Sequence, residues 1–387
     1  MMSSATASSD GITLHPVQDK GALDRFIRVQ WAILAGDATW IPPLLMERRD
    51  HLDRKKNPYF RHADAQFWYA TRNGTPVGRI SAQVNRGHLA RHDDGIGHFG
   101  FFDAVDDPDV VRALVETASD WLKERGMRRM RGPFSLSIND ESGVLVQGFD
   151  TPPSLMMPHG RRYYGTQLEA AGMAKAKDLI AYDYRAELEL PAGPMALVKK
   201  LEQEPNVRLR QLDMRHFESD IAAVLDIFND AWADNWSFVP FTQEEVRYAA
   251  HGMKPLIAKD LVCIAEIDGD PAAMIVSLPN LNEAIADLNG RLLPFGWLKL
   301  LWRLKVSGLK SARVPLLGVR RKFHGTLMGS ALAFGVIDRI RRAHLSRGTE
   351  HVELSWILED NAPMRRMIDA LGATPYKTYR VYEREIA

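Results

Sequence analysis

The sequence contains almost no cysteine: a single residue of this type, Cys263, occurs among 387. An intramolecular disulfide is therefore excluded, and nothing in the chain requires an oxidising compartment. Cys263 lies in the apolar run 261–265, where a cysteine is typical of core packing. We expect a buried side chain here and not a nucleophile.

Long apolar runs are missing as well. No stretch of about 18 uncharged apolar residues is present, so no segment has the composition of a membrane-spanning helix. The N-terminal residues lack the basic and apolar regions of a secretory signal. Together these absences predict a cytoplasmic protein.

Net charge is nearly absent, because 50 basic side chains balance 49 acidic ones and leave +1. One segment departs from this balance, since no acidic residue lies between Asp287 and Asp338. Its charged residues are nine cations, namely Arg291, Lys299, Arg303, Lys305, Lys310, Arg313, Arg320, Arg321 and Lys322. Such one-sided charge indicates an anionic partner on that surface.

The composition that remains, 45% hydrophobic and 26% charged, is typical of a globular protein. The length exceeds that of one ordinary core, which favours two domains. Pro and Gly cluster at residues 191–194, between periodic segments. We therefore predict domains at 1–190 and 191–387.

The two halves repeat one order of elements. Asn73-Gly74 and Asp268-Gly269 each separate two apolar runs, which predicts a β-hairpin in each half. A strand and an amphipathic helix follow each hairpin, and each half then closes with a helix, a glycine and an aromatic strand. This duplication predicts an α/β fold built from two copies of one unit, each a mixed sheet flanked by helices.

The C-terminal half contains a strand, a basic loop and a helix in succession. A loop that leads into a helix presents unpaired backbone N–H groups and the positive end of the helix dipole, which suit a pyrophosphate. Basic side chains beside it add cationic charge. The candidate binding residues are Leu317, Gly318, Val319, Arg320, Arg321, Lys322, Phe323, His324, Gly325, Thr326 and Leu327. The alternative is an ordinary strand-to-helix turn with a solvated basic rim.

These elements, followed by the strand 353–358, Asn361, a helix and Leu371-Gly372, resemble the GNAT superfamily of acyl-CoA N-acyltransferases. The resemblance implies two such domains in tandem, each with a mixed, splayed central sheet flanked by helices. It implies that residues 322–327 hold the CoA pyrophosphate and that residues 317–319 pair with the pantetheine. Asn361 would approach the pantetheine or the thioester.

Two positions depart from the family pattern. Leu327 stands where a small residue is expected, and Ile368 stands where many members have the tyrosine that acts as general acid. Protonation of the leaving thiolate must then come from another group or from water.

The N-terminal half lacks the phosphate loop, since acidic residues precede its helix at 106–109. It contains instead a polar segment, 132–153, bounded by Gly and Pro. This segment, with residues 56–60 and 97–102, resembles a bacterial family of tandem GNAT-like proteins that includes proposed ceramide synthases. The resemblance implies transfer of a fatty acyl group from acyl-CoA to the amine of a sphingoid base, with the N-terminal domain shaping the acceptor site. Asn139 and Asp140 could instead form a simple Asx-type turn.

Residues 291–313 favour a lipid substrate without any family comparison. Trp297, Leu301 and Trp302 lie among leucines and six cations, which is typical of a helix in a membrane interface. An anionic membrane surface, on the inner face of the inner membrane, is the expected partner. A lid over a long acyl chain and a buried structural helix are the alternatives.

Acyl transfer to an amine needs a base for the amine proton and donors for the thioester oxyanion. Glu353, on a predicted strand, could take the proton directly or through water, and Ser355 and Ile357 would share its face. Glu141 is the alternative base, with Asn139 positioning the acceptor. An exposed structural charge is the other interpretation of Glu353.

The expected ligands are acyl-CoA as co-substrate and a lipid amine; we expect no metal and no nucleic acid. Three other functions stay open. They are acylation of a soluble amine, non-catalytic binding of acyl-CoA or lipid, and aminoacyl transfer from tRNA. The last is disfavoured because no sustained heptad repeat is present.

Overall fold

The structure is a computed structural model that describes residues 6–7, 11–254 and 257–386. It has two compact units. Unit 1 comprises Met1–Ile180, Ile285–Gly296 and Lys377–Ala387, and unit 2 comprises Ala181–Ala284 and Trp297–Tyr376. A single boundary, such as the one predicted after residue 190, does not by itself describe these contacts, because the last strand of the chain pairs within unit 1.

The strands and helices of the first half follow in chain order. They are β1 (Thr6–Ala7), β2 (Ile12–Pro16), α1 (Lys20–Ile33), α2 (Leu45–His51), α3 (Tyr59–His62), β3 (Ala63–Arg72), β4 (Thr75–Asn85), α4 (Arg86–His92), β5 (Ile96–Ala104), α5 (Pro108–Lys123), β6 (Arg129–Gly132), β7 (Val144–Gln147), α6 (Tyr164–Ala170) and β8 (Ala174–Arg185). The division between the units falls within β8.

The second half continues the order. Its elements are α7 (Ala192–Leu201), β9 (Val207–Gln211), α8 (Phe217–Ala231), α9 (Gln243–Met253), β10 (Val262–Ile267), β11 (Asp270–Pro279), α10 (Leu281–Ile285), α11 (Gly296–Trp302), β12 (Ser311–Val319), α12 (Leu327–Arg347), β13 (His351–Leu358), α13 (Ala362–Ala370) and β14 (Thr374–Glu385).

Unit 1 has a mixed sheet. β1 to β5 are antiparallel neighbours in sequence order, and β6 is parallel to β5. The end of β14 pairs antiparallel with β6 and with β7. Helices α1 and α5 pack against β4. The predicted hairpin is confirmed, because Asn73 and Gly74 both have positive φ, 49° and 79°, between β3 and β4.

Unit 2 repeats this plan. β9, β10, β11 and β12 are antiparallel neighbours, and β13 is parallel to β12. The second hairpin is confirmed at Asp268 and Gly269, where φ is 54° and 88°. Helix α8 packs against β11 and β12, and α12 packs against β10 and β11. Cys263 is fully buried on β10, and burial raises its pKa to about 12, so the prediction of a core cysteine is confirmed.

The parallel strands of unit 2 part before they end. β12 and β13 pair from Ser311 with His351 to Val314 with Leu354, and the ladder of the described strands stops there. The next residue of β12 is Pro315, which has no N–H to donate. The remaining lengths of the two strands therefore line a cleft instead of a continuous sheet.

Across the part of the chain that the structure describes, we find no helix with the length and apolar character needed to cross a bilayer.

Candidate active site

A cavity opens in unit 2 where β12 and β13 part, with about 710 Å³ of space not filled by atoms and part of it open to solvent. Its lining is mostly apolar, although it includes Arg341 and His344, and it comes mainly from β12, β13, α12 and α13, with further residues from β8, β11 and the position after α8. β12 contributes Val314, Pro315 and Leu317; β13 contributes Val352, Leu354, Ser355, Trp356 and Ile357; α12 contributes Ile337 and Ile340; α13 contributes Met364, Met367 and Ile368. A cavity of this size and chemistry suits an acyl chain or a pantetheine.

Two tryptophans shape one side of this cavity. Trp232, just after α8, and Trp356 meet edge to face with ring centroids 5.7 Å apart. The Trp232 indole N–H donates to the carbonyl of Leu317 at 3.2 Å. Nε2 of His324 lies 2.7 Å from the carbonyl oxygen of Val319. Two of the carbonyls predicted to pair with pantetheine thus already have side-chain partners, and each retains one more lone pair.

Glu353 is buried, with 5% of the residue exposed, so the interpretation as an exposed strand charge is wrong. Its carboxylate accepts short hydrogen bonds from the hydroxyls of Ser355 and Tyr376. Arg313, its neighbour on β12, lies 3.5 Å from Oε1 and donates to the Ser355 Oγ at 2.8 Å. The buried carboxylate is therefore compensated by a cation and two hydroxyl donors.

Ser355 and Ile357 of the predicted shared face line the cavity, and so do Val352, Leu354 and Trp356 at the alternate positions of β13. Glu353 is not one of the lining residues, but it accepts a hydrogen bond from the hydroxyl of Ser355, which is one. Sequence reasoning missed Arg313 and Tyr376. Arg313 sits opposite Glu353 in the strand register, and a basic residue directly before the apolar run 314–319 was the signal for it.

The basic loop after β12 does not present all of its cations to solvent. Arg320 forms an ion pair with Asp226 of α8 at 2.6 Å, and its Nε donates to the carbonyl of Pro271. Arg321 contacts Asp230 at 3.4 Å and Asp234 at 3.3 Å. These acids come from a segment about ninety residues earlier in the chain. They partly neutralise the basic segment between Asp287 and Asp338.

Lys322 is the loop cation that remains, since no carboxylate contacts it among the described residues. Next to it, the backbone N–H groups of Gly325, Leu327 and Met328 have no hydrogen-bond partner within the described chain. Thr326 caps α12 by accepting from the N–H of Gly329 at 3.0 Å. Three free N–H groups, a cation and the dipole of a 21-residue helix fit a pyrophosphate.

The small residue that this loop needs is Gly329, one turn into the helix. A Cβ on Gly329 would lie 2.1 Å from the Phe323 carbonyl oxygen, so any side chain there would push the loop away. Leu327 is 60% exposed, so the loop accommodates its side chain largely in solvent. Asn361 caps α13, where its Oδ1 accepts from the N–H of Met364 at 3.2 Å.

The N-terminal candidates lie in unit 1. Glu141 forms an ion pair with Arg48 at 2.9 Å. Asn139 belongs to a turn in which the Asp140 carboxylate accepts from the N–H and hydroxyl of Ser137. The corresponding helix start in unit 1 is closed to anions, because the carboxylate of Asp107 already accepts its first N–H groups.

Residues 291–313 expose their apolar side chains. Leu293 is 78% exposed and Trp302 57%, and Phe295, Trp297, Leu298, Leu301 and Val306 are exposed too. Helix α11 and the helical turn Arg303–Ser307 that continues it contain no buried residue. The interpretation as a buried structural helix is therefore wrong for this segment.

No family model matches the sequence. The chain is 46% identical to "Bacterial ceramide synthase" of Caulobacter vibrioides over 376 residues, which cover 97% of this chain and 98% of that protein. It is equally similar to "Protein YghO" of Escherichia coli, at 46% over 369 residues, 95% of this chain and 94% of the relative. The chain belongs to this bacterial ceramide synthase family.

Solved structures agree with the family's fold. A tandem GNAT protein from the clavulanic acid biosynthesis pathway matches 97% of this chain and 99% of its own with a TM-score of 0.55, at 13% identity. A GCN5-related N-acetyltransferase from Sphaerobacter thermophilus matches 97% and 96% with a TM-score of 0.53, also at 13% identity. The chain thus has the tandem GNAT fold, and membership of the ceramide synthase family supports an acyl-CoA-dependent N-acyltransferase, as the resemblance predicted. The described residues include no group of metal-ligating side chains placed to hold an ion.

We predict that Lys322→Glu weakens CoA binding roughly tenfold to hundredfold, because it replaces a charge-assisted contact to pyrophosphate with repulsion. Isothermal titration should give one site per chain for the unaltered enzyme. Lys200→Glu, the same charge reversal at an exposed position on α7, is the control and should bind normally. Two sites per chain, or unchanged affinity in Lys322→Glu, would contradict the assignment.

Proposed function

We propose that this acyltransferase moves a fatty acyl group from acyl-CoA to the amine of a sphingoid base at the cytoplasmic surface of a membrane. The observation that carries the proposal is the apolar cavity at the parting of β12 and β13. A pantetheine with a long acyl chain would cover this lining more fully than a pantetheine with an acetyl group. The 46% identity to a bacterial ceramide synthase supports the same substrate class.

The chemistry follows from the buried network around Glu353. A long-chain amine is largely protonated at neutral pH, and only its free form attacks a thioester. The amine nitrogen forms the new C–N bond to the thioester carbon, the C–S bond breaks, and CoA leaves as a thiolate. The two protons that the ammonium loses must go to a base and finally to the thiolate and water.

Ser355 connects Glu353 to the cavity. Ser355 lines the cavity, and its hydroxyl donates to the Glu353 carboxylate. An amine proton can therefore pass to the Ser355 Oγ while the Ser355 proton passes to Glu353. The same path in reverse, or water, delivers a proton to the thiolate, which accounts for a family member without tyrosine at position 368. Arg313 and Tyr376 hold the carboxylate in place.

The segment 291–313 supports action at a membrane surface. Its exposed Trp and Leu side chains lie among six cations. This combination suits insertion at the boundary between head groups and acyl chains of an anionic leaflet. A lid over the acyl chain is the alternative use of the same apolar face.

A soluble amine acceptor is the second candidate, because GNAT proteins of known structure share the fold and one of them is named as an N-acetyltransferase. The deciding assay measures release of free CoA from acetyl-CoA and from long-chain acyl-CoA. Sphinganine or 3-ketosphinganine is compared with polyamines, lysine and small aromatic amines. We expect turnover with the long-chain donor and a lipid amine. Preference for a soluble amine would reject the sphingoid proposal and leave the fold intact.

We predict that Glu353→Gln lowers turnover roughly 10²- to 10⁴-fold, the usual contribution of a positioned base, while acyl-CoA binding is retained. The measurements are CoA release, titration of acyl-CoA, and a melting curve that tests the fold. Glu350→Gln removes an exposed carboxylate just before the same strand and should keep full activity. Full activity in Glu353→Gln, with loss in Glu141→Gln, would assign the base to Glu141.

We predict that the enzyme floats with vesicles rich in anionic lipid and that added salt weakens this binding, since surface charges are screened. Changing Trp297, Leu301 and Trp302 together to Ser should reduce flotation, because the inserted apolar surface is lost. Changing Tyr248 and Leu345 to Ser, two exposed apolar residues elsewhere in unit 2, provides the control. Equal flotation of the triple variant and the parent would leave the lid as the role of the segment.

A further inference from the structure

The apolar cavity of unit 2 has an open end and a closed end. The lining residues that lie where β12 and β13 part are partly exposed; they are Leu317, Trp356, Ile357 and Met364. Other lining residues are at most 4% exposed, namely Ile340, Val352 and Leu371. Burial therefore increases in one direction along the cavity.

The order of residues along the surrounding elements gives that direction. On α13 the lining begins at Met364, in the first turn, and ends at Leu371, about 10 Å further along the helix. On β13 it reaches back from Ser355 to Val352, which is also about 10 Å. The cavity thus extends from the place where the strands part towards the start of β13.

Two polar side chains at the closed end already use their hydrogen-bonding groups. Nε2 of His344 lies 2.9 Å from Oγ of Ser277, and its Nδ1 lies 3.2 Å from Oγ1 of Thr349. Burial lowers the pKa of His344 to about 4, so the ring is neutral at pH 7, with one donor and one acceptor. The Tyr184 hydroxyl donates to the carbonyl of Leu188 at 3.0 Å. These side chains offer the cavity mainly carbon surface, which suits the methyl end of an apolar chain.

The same contacts fix the closed end in place. His344 and Ser277 are at most 1% exposed, and their contact joins α12 to β11. The Ser277 hydroxyl also lies 3.3 Å from the carbonyl of Arg313 on β12. Arg341 forms an ion pair with Asp338 of the same helix at 3.0 Å. A chain that pushed this end outward would break buried hydrogen bonds, which is costly where water cannot replace them.

Ile340 contributes a rigid apolar side chain to this end. It lies between Ile337 and His344 on the stripe of α12 that lines the cavity, and it is 2% exposed. A β-branched side chain in a helix has one strongly preferred rotamer. Ile340 therefore cannot swing aside for a longer chain as an unbranched side chain could.

We propose that Ile340 limits the length of the acyl chain that the enzyme accepts. The thioester lies at the open end, near Ser355, and the chain extends along α12 and α13 until its methyl end meets Ile340. Chains up to the limiting length gain contacts with the lining, whereas longer chains fold back or displace the thioester. This inference rests on the placement of the acyl chain in this cavity under the proposed function, and it is independent of the amine that accepts the chain.

The test is isothermal titration of the full chain, without an amine, below the concentrations at which the ligands form micelles. The ligands are CoA, acetyl-CoA and a series of saturated acyl-CoA thioesters that lengthens by two carbons from octanoyl to arachidoyl. Each methylene that becomes buried should tighten binding about fourfold. We expect the affinity to rise up to a limiting chain length and to fall roughly tenfold at the next longer chain, because more than one methylene then loses its contacts.

Two substitutions at Ile340 should move the limit in opposite directions. Ile340→Ala enlarges the closed end and should lengthen the longest tightly bound chain by about two carbons, whereas Ile340→Phe fills that end and should shorten it by about two. The affinity for CoA itself should be unchanged in both, because Lys322 and the free N–H groups lie at the other end of α12. Ile340→Val replaces Ile340→Ala if the latter does not bind CoA.

Two further variants separate this role from general effects on packing. Ile264→Ala is the matched control, because it truncates a fully buried isoleucine on β10 that does not line the cavity. It should lower the melting temperature and keep the limiting length of the parent. Met364→Ala, at the open end, should weaken binding of all long chains by a similar factor without moving the limit, since every chain passes this position.

Movement of the limit in the Ile340 variants, with unchanged CoA affinity, supports the proposal. The same limiting length in the parent and in an Ile340→Ala protein that binds CoA would overturn it, and so would an equal shift in Ile264→Ala. Affinity that rises with chain length but shows no shift would leave the proposed function standing. A shift together with turnover of soluble amines alone would reject the sphingoid acceptor and leave the role of Ile340 standing.

Discussion

The end of the ladder between β12 and β13 is the constraint on which the rest of unit 2 depends. The two strands pair through Val314 and Leu354 and then diverge at a proline, which cannot donate a hydrogen bond. An apolar cavity left empty destabilises a domain, because its lining atoms lack packing partners. Acyl-CoA can supply those partners, so its binding should also stabilise unit 2. The same divergence places Ser355 at the cavity and leaves Glu353 buried behind it.

Ion pairs in this protein join charged side chains that lie close together in space although they are far apart in the sequence. Arg320 and Arg321 belong to the most basic window of the chain, yet acids of α8 and the turn after it occupy their side chains. Lys322 and free backbone N–H groups are left for an anion. The buried carboxylate of Glu353 is also paired. Arg313 and two hydroxyls offset the free-energy cost of removing this carboxylate from water.

The two units share one sheet plan and differ in what fills it. In unit 2 the divergent strands carry Leu, Pro and Trp, and the helix that follows begins with a Thr cap and free N–H groups. In unit 1 the cavity contains an ion pair, a carboxylate and a histidine, and Asp107 blocks the helix start. The same sheet plan therefore encloses a mostly apolar cavity in unit 2 and a more polar one in unit 1, because the side chains along it differ.

Local sequence determined the elements and the family. Hairpins at Asn73-Gly74 and Asp268-Gly269, the cap at Thr326 and the strand containing Glu353 follow from turn residues, capping and periodicity, which act over a few neighbours. Only the tertiary structure decided which groups meet. It paired Arg321 with Asp230, brought Tyr376 to Glu353, and placed the last strand of the chain in unit 1. These contacts join residues 23 to more than 200 positions apart, and no local pattern encodes them, because they depend on how strands pair and helices pack.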